Sequence, residues 1–307
     1  MVAANIMKAL VTGAHGFLGR HVARGLAEAG WRVTGIGHGD WPAATQRSFG
    51  LAAWRTADIT AEALAGVGDV DLIVHCAGGG SVAASLADPP ADFARTVQTT
   101  AAVLDFARRQ ARPPRIVYPS SPAVHGASAG GVMREDKGRD PISPYGLHKK
   151  MAEDLCRFHA AQYGIPVAIV RLFSVYGAGL RKQLLWDACN KIAAGDAMFA
   201  GTGDEVRDWL HIDDAVALLF VAAEKAAPAC PTVDGGTGIG TANRAVLQAL
   251  CDLLDRGAAP SFSGASRAGD PPRYVADIAA ARRWGWEPRR ALADGLGLYV
   301  RWFKEQA

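Results

Sequence analysis

VTGAHGFLGRH, residues 11–21, is the stretch on which the fold turns. The apolar run KALVTG (8–13) leads into it and reads as a strand, and GRHVARGLAEAG (19–30) follows as a helix closed by Gly30. Gly13, Gly16 and Gly19 stand at the junction in the spacing GxxGxxG. Glycines there permit a tight turn, close approach of backbone N–H groups to a diphosphate, and packing of helix on strand, with the diphosphate at the positive helix end. The spacing alone says little, because any Gly-rich turn can supply it. Its place after a strand and before a helix makes it a dinucleotide signature.

The chain on either side agrees. RVTGIG (32–37) is a second strand, TAEALAGV (60–67) a short helix and DLIVHCAG (71–78) a third strand. DFARTVQTTAAVLDFARRQ (92–110) is a long helix with Phe93, Val97, Ala101, Leu104 and Ala107 on one stripe. RIVYPSS (115–121) and PVAIVRLFSV (166–175) are further strands. Such alternation implies an α/β fold, a Rossmann-type doubly wound parallel sheet with right-handed crossovers. After Tyr176 the pattern loosens into QLLWDACNKIAAG (183–195), WLHIDDAVALLFVAAEKA (209–226) and NRAVLQALCDLLDR (243–256), with Gly/Pro-rich loops such as 264–273 between them. We therefore expect a dinucleotide domain over 1–175, with 208–238 returning to it, and a smaller, interleaved C-terminal substrate domain over 176–207 and 239–307.

Bulk properties narrow the class. A net charge of +3 on 307 residues, with no basic block, gives no case for nucleic acid. The five cysteines are odd in number and scattered, without CxxC or zinc spacing, which suggests reduced thiols, no structural metal and a cytoplasmic protein. The start is no signal peptide, and no stretch of about 18 apolar residues could span a bilayer.

Two further stretches carry chemistry. The second strand of such a fold normally ends in an acid that binds the adenosine ribose. Here it ends GIGHGD, with Gly37 in the acid's place and Asp40 three residues on. Without that carboxylate, and with His38 and Arg20 near, the site would tolerate a 2′-phosphate, so NADP(H) is preferred over NAD(H). The alternative gives the acid's job to Asp40 or to backbone groups. Asp58 and Ile59, in TADIT, would meet the adenine edge, unless Asp58 merely caps the helix that follows. In SPYGLHKK (143–150), Ser143 is a good N-cap and Pro144 suits the first helical position, which sets Tyr145 and Lys149 on one face, four residues apart. An ammonium and a helix N-terminus both favour phenolate, the form a proton-transfer base needs. The plain alternative is a half-buried tyrosine beside a solvated lysine.

With GAHGFLG, ADI, HCAG, SSPAVHG, SPYGLHK, RLFSVYG and RDWLHIDD in this order, the chain resembles the extended short-chain dehydrogenase/reductase family, in its nucleotide-sugar epimerase/dehydratase branch. The resemblance runs from residue 8 to about 303 and includes YVADIAAARRWGWEPRRALADGL (274–296). It implies Ser121, Tyr145 and Lys149 as catalytic residues, with Ser120 as the fallback for the serine. Gly13, Gly16, Phe17, Leu18, Gly19, His38, Asp58, Ile59, Ala77 and Gly78 would line the cofactor together with Tyr145 and Lys149. Ser121, Ser174, Arg207 and Arg267 would meet the substrate, the two arginines gripping its diphosphate. Ser174 stands where the family usually has Asn, which weakens that contact. His211 is expected to be structural, and Trp186 and Trp209 to be core.

The reaction follows less directly. Family dehydratases carry an Asp-Glu pair directly after the active-site hydroxyl, where this chain has Pro122-Ala123. Two redox readings remain. Gly37 favours reduction of a nucleotide-linked 4-keto sugar by NADPH, with Tyr145 as proton donor. The alternative is a C4-epimerase with tightly bound NAD. A non-catalytic dinucleotide sensor is a third reading, disfavoured because serine, tyrosine and lysine are all present. The resemblance also implies a homodimer through the helices at 92–110 and 144–163.

Overall fold

The computed structural model describes residues 6–126, 133, 138–254, 257, 259–264 and 272–306. In chain order its first elements are β1 (Lys8–Thr12), α1 (Phe17–Glu28), β2 (Arg32–Gly37), α2 (Ala43–Ser48), β3 (Leu51–Thr56), α3 (Ala61–Ala65) and β4 (Leu72–His75). Next come α4 (Val82–Ala87), α5 (Pro89–Phe93), a π-helical turn (Ala94–Gln98), α6 (Thr99–Arg108), β5 (Arg115–Ser120), a 3-10 turn (Pro122–His125), α7 (Pro144–Tyr163) and β6 (Val167–Leu172). The remainder is β7 (Ser174–Tyr176), α8 (Gln183–Ala193), β8 (Met198–Phe199), β9 (Val206–His211), α9 (Ile212–Lys225), β10 (Thr232–Gly235), β11 (Gly240–Ala242), α10 (Asn243–Leu253), β12 (Ser261–Phe262), β13 (Arg273–Tyr274), α11 (Ala279–Arg283) and α12 (Leu292–Lys304).

The main sheet runs β10-β6-β5-β4-β1-β2-β3, and the pairings among β1 to β6 are parallel. From β1 the chain winds outward through β2 and β3, then returns to β4 on β1's other side and continues to β5 and β6. This is the Rossmann-type doubly wound order, whose ligand crevice opens past the carboxyl ends of β1 and β4, where the winding reverses. β4 and β6 are buried at every position, as strands covered on both faces must be. Leu10, Ile36, Ile73, Ile116 and Ile169 of the sheet form one core with Leu104 and Ala107 of α6 and Ala152, Cys156 and Ala160 of α7.

By internal contacts the chain divides into two compact units. The first comprises Met1–Gly126, Arg139–Arg171 and Val216–Val233; the second comprises Ala127–Gly138, Leu172–Ala215 and Asp234–Ala307. In the second unit β9 is flanked by β11 and β13 and also pairs with β7. Two acids of the RDWLHIDD stretch hold this unit's loops. Asp208 is fully buried and accepts from the Thr237, Gly238 and Ala276 amides and the Thr237 hydroxyl, while Asp214 accepts from the Arg289 and Arg290 amides. Trp186 packs against Trp302 and Phe303.

The structure departs from the sequence reading in identifiable ways. The segment 166–175 is not one strand: it breaks at Phe173, because β6 pairs with β5 whereas β7 pairs with β9 in a different sheet. The helix expected over 92–110 contains the π turn, which inserts one extra residue and turns Thr96 and Thr100 inward beside Val97 and Leu104. The short helices α2 and α4 were not legible, being too short for a clear period. All five cysteines are free thiols. Among the described residues no helix is long and apolar enough to cross a membrane.

Candidate active site

The glycine loop lies at the winding reversal. Gly13 adopts φ +64°, in the left-handed region, and its N–H donates to Ile36 O at 2.7 Å. A Cβ on Gly13 would stand 2.7 Å from the Ala77 backbone nitrogen, so the turns after β1 and β4 touch backbone to backbone. Gly16 N-caps α1 without a side-chain bond, which leaves the first-turn amides of Phe17 and Leu18 for an anion. Gly19 packs on the Gly13 carbonyl so closely that a side chain has no room. Below the loop, Thr12 Oγ1 accepts from the Ala77 amide at 3.2 Å and meets His75 Nδ1 at 2.6 Å; His75 Nε2 meets Thr100 Oγ1 at 3.1 Å. Burial pushes the His75 imidazole down to about 3, so it is neutral at physiological pH. This bare-backbone cradle suits a dinucleotide diphosphate.

At the adenosine end β2 stops at Gly37, and Asp40 is exposed beyond it. His38 Nε2 lies 2.8 Å from Asp58 Oδ1, each side chain 76% exposed, so the imidazole already has an anionic partner. Arg20 donates to the carbonyls of His15 and Gly16, and its guanidinium lies over the Phe49 ring. Thr60, not Asp58, caps α3 by accepting from the Ala63 amide, and Ile59 is buried. The aromatic rings of His15, Trp41 and Trp54 cluster at this end of the loop.

Ser121, Tyr145 and Lys149 come together in the first unit. Ser143 caps α7 by accepting from the Gly146 amide at 3.2 Å, and Pro144 occupies the first turn, which fixes where Tyr145 and Lys149 emerge. The Tyr145 amide donates to Ser85 Oγ at 3.0 Å. Ser121 opens the 3-10 turn, accepts from the Ala123 amide at 3.2 Å and lies near enough to the Tyr145 phenol to pull its pKa down. Ser120, one residue earlier, instead donates to Glu153 Oε1 at 2.7 Å. Lys149 is buried; its Nζ donates to Pro119 O at 3.1 Å and lies 5.0 Å from the Tyr118 ring centre.

Electrostatics here differs from the sequence expectation. Burial raises the Tyr145 phenol above its ordinary value, the nearby Ser121 hydroxyl pulls it down, and the Asp92 charge pushes it up. Burial lowers the Lys149 ammonium to about 8, against the raising influence of Cys76, Asp92, Glu153 and Cys156. Desolvation thus outweighs the spacing argument: in the protein alone the phenol is favoured over the phenolate.

Sequence reasoning missed the layer behind these residues. Glu153 and Arg171 are fully buried and form a bidentate pair, Nε to Oε1 and Nη2 to Oε2, both at 2.9 Å. Arg157 adds a bond to Oε2 at 3.0 Å, and Arg171 Nη1 reaches His125 Nε2 at 3.1 Å. Asp92 and His148 form a second buried pair, Oδ2 to Nδ1 at 2.6 Å. The spacing 145, 149, 153 on one helix face was a signal for Glu153. Asp92 gave none, because its partner lies 56 residues away in the chain.

In the second unit, Ser174 pairs in register with Trp209, and Arg207 lies two residues earlier on β9. Arg207 donates to its neighbouring Val206 carbonyl at 2.8 Å, with its guanidinium 5.7 Å from the Tyr274 ring centre. Trp209 is buried against Tyr176, and His211 is buried against the same ring. Arg267 lies outside the described residues.

Comparisons with known proteins bear on this geometry. A family model described as the NAD dependent epimerase/dehydratase family matches residues 9–232. An uncharacterised UDP-glucose epimerase of Bacillus subtilis is 30% identical over 94% of this chain and 96% of its own length. The crystal structure of UDP-glucose 4-epimerase from Thermotoga maritima, with UDP-glucose, superposes with a TM-score of 0.89 at 25% identity, covering 98% of this chain and 99% of that one. A dTDP-glucose 4,6-dehydratase from Streptomyces venezuelae, solved with NAD, gives a TM-score of 0.88 at 28% identity, covering 97% of each chain. With the glycine loop at the winding reversal and serine, tyrosine and lysine beside it, the chain belongs to the NAD-dependent epimerase/dehydratase family, an enzyme family of the extended short-chain dehydrogenase/reductase type.

Proposed function

We propose that this protein is a nucleotide-sugar 4-epimerase working with a tightly held NAD. The observation that carries the reading is Ser121 beside Tyr145, with Lys149 one helical turn on and the Gly13 turn in the same unit. Pro122 and Ala123 form a 3-10 turn after Ser121, so the acid pair that the resemblance requires of a dehydratase is missing. Between epimerase and reductase, the epimerases among the relatives weigh towards the former. The preference for NADP(H) rested on Gly37 in the acid's place, with His38 and Arg20 nearby. His38 is paired with Asp58 and Arg20 is engaged by backbone carbonyls, while a family member carries NAD. NAD is therefore the cofactor we assign.

NAD bound there would supply the acceptor for the hydride of the sugar C4 and the donor for its return. Phe17 and Leu18 amides would hold the diphosphate at the α1 N-terminus. Ser121 would hydrogen-bond the sugar 4-oxygen, and Tyr145 would remove its proton on oxidation and return one on reduction. Lys149 would keep positive charge beside the phenolate and bind the nicotinamide ribose. Ser174, Arg207 and Arg267 would receive the nucleotide diphosphate. The whole cycle is redox-neutral. A homodimer through α6 and α7 is part of the reading; Leu147 and Phe158 of α7 are exposed apolar residues, and light scattering should give twice the chain mass.

The test is incubation with UDP-glucose and UDP-galactose separately, without added dinucleotide, with products resolved by chromatography. Interconversion, and NAD released on denaturation, are expected. Net consumption of NADPH with a 4-keto sugar and no interconversion would restore the reductase reading. Tyr145→Phe should lower turnover by about 10²–10⁴ while the protein still retains dinucleotide.

A further inference from the structure

We propose that the buried Asp92–His148 pair is a positioning device for Tyr145 and for the Gly78–Gly79 turn. The inference rests on Tyr145 being the proton-transfer group of the epimerase reading.

Geometry comes first. Asp92, on α5, is 4% exposed and His148, on α7, 7% exposed. One carboxylate oxygen meets the imidazole at 2.6 Å; the other sits against the α-carbon of Gly79, where no side chain fits. The Gly79 amide donates to Thr96 Oγ1 at 2.9 Å, and Lys149 Nζ lies 3.4 Å from where a Gly78 Cβ would be. The turn after β4 is thus clamped between Asp92, Thr96 and Lys149. The Phe93 ring closes on His148 edge-on at 5.5 Å. His148 lies between Tyr145 and Lys149 in sequence, so movement of the pair is transmitted to the helix turn that carries both.

Charge comes second. Two carboxylates act on Lys149, Glu153 and Asp92. Glu153 is compensated by the guanidiniums of Arg171 and Arg157, which keep their charge. The Asp92 charge also acts on Tyr145. The other polar and titratable neighbours are the Ser85 hydroxyl on α4, Asp88 capping α5, Arg95 and Thr96 on the π turn, His75 and Cys76 at the end of β4, and Ser121 after β5. Asp88 and Arg95 are exposed and screened, and His75 is neutral.

The test uses Asp92→Asn and His148→Asn in the full chain, with kcat/KM for UDP-glucose measured from pH 5 to 10 and bound dinucleotide quantified after denaturation. Asp92→Asn removes the negative charge and the contact with Gly79 and should move the acid limb of the profile down; His148→Asn keeps a donor for Asp92 but shortens the side chain that joins α7 to α5, and should lower kcat/KM by about 10-fold without moving the limb. Dinucleotide content should fall in Asp92→Asn, where the Gly79 turn is released, and stay that of the wild type in His148→Asn. An unmoved acid limb and wild-type dinucleotide content in Asp92→Asn, or wild-type kcat/KM in His148→Asn, overturn the proposal. If Asp92→Asn does not fold, His148→Asn alone decides, a wild-type kcat/KM counting against the pair. Full activity in Tyr145→Phe would instead overturn the epimerase reading, whereas an inactive Tyr145→Phe together with either of those outcomes overturns only the role of the pair.

Discussion

Lys149 illustrates how burial and function pull against each other at a single residue. Its ammonium is 6% exposed and lowered to about 8 by desolvation, so the folded protein bears the cost of a buried charge below that pH. The unfolded chain holds the proton to about 10.4; the cost is complete below pH 8 and fades as pH rises from 8 towards 10. Lys149→Met, similar in length and apolar, should therefore stabilise the dinucleotide-free protein at neutral pH by about 2–3 kcal/mol while abolishing epimerisation. Urea unfolding of stripped protein at pH 7 and pH 10 would check this, with the gain smaller at pH 10. Tyr145 was legible from its spacing, but its protonation preference was not, because a linear sequence does not show how much water a phenol loses.

At the scale of elements, α7 ties the catalytic layer to the sheet. Tyr145, Lys149 and Glu153 follow one another on one face, and Glu153 reaches both β5 through Ser120 and β6 through Arg171. Its carboxyl is held at about 2: burial raises it, and the Arg171 and Arg157 guanidiniums with the Ser120 hydroxyl more than reverse that. The folded value lies below the unfolded one, so this stabilisation is present above about pH 4.5 and disappears as pH falls through 2. Glu153→Gln leaves Arg171 buried beside a neutral amide and should cost about 3–5 kcal/mol at pH 7, read by thermal or urea unfolding, with the difference shrinking in acid. The cap on α7 was readable from Ser143-Pro144. The π turn in the preceding helix was not, since its extra residue is selected by what Thr96 and Thr100 bond to, namely Gly79 and His75.

Across the whole molecule, the winding reversal between β1 and β4 is what brings Gly13 against Ala77 and opens the crevice. Gly13→Ala places a Cβ against the Ala77 backbone at a left-handed φ, so it should cost about 1–3 kcal/mol and lower the bound dinucleotide, read by unfolding and by cofactor content after purification. The sequence alone determined the alternation of strands and helices, the glycine loop, the start of α7, and the place of Tyr145 and Lys149 one turn apart on that helix, because each follows from local periodicity, capping or backbone freedom within a few residues. Tertiary structure alone decided that Ser120 serves Glu153 while Ser121 faces Tyr145, that His38 is engaged by Asp58, that the strand after Ile165 divides between two sheets, and that Asp92 meets His148. Those outcomes depend on which distant groups share a desolvated space, and burial energies of several kcal/mol there override anything a short stretch of chain prefers.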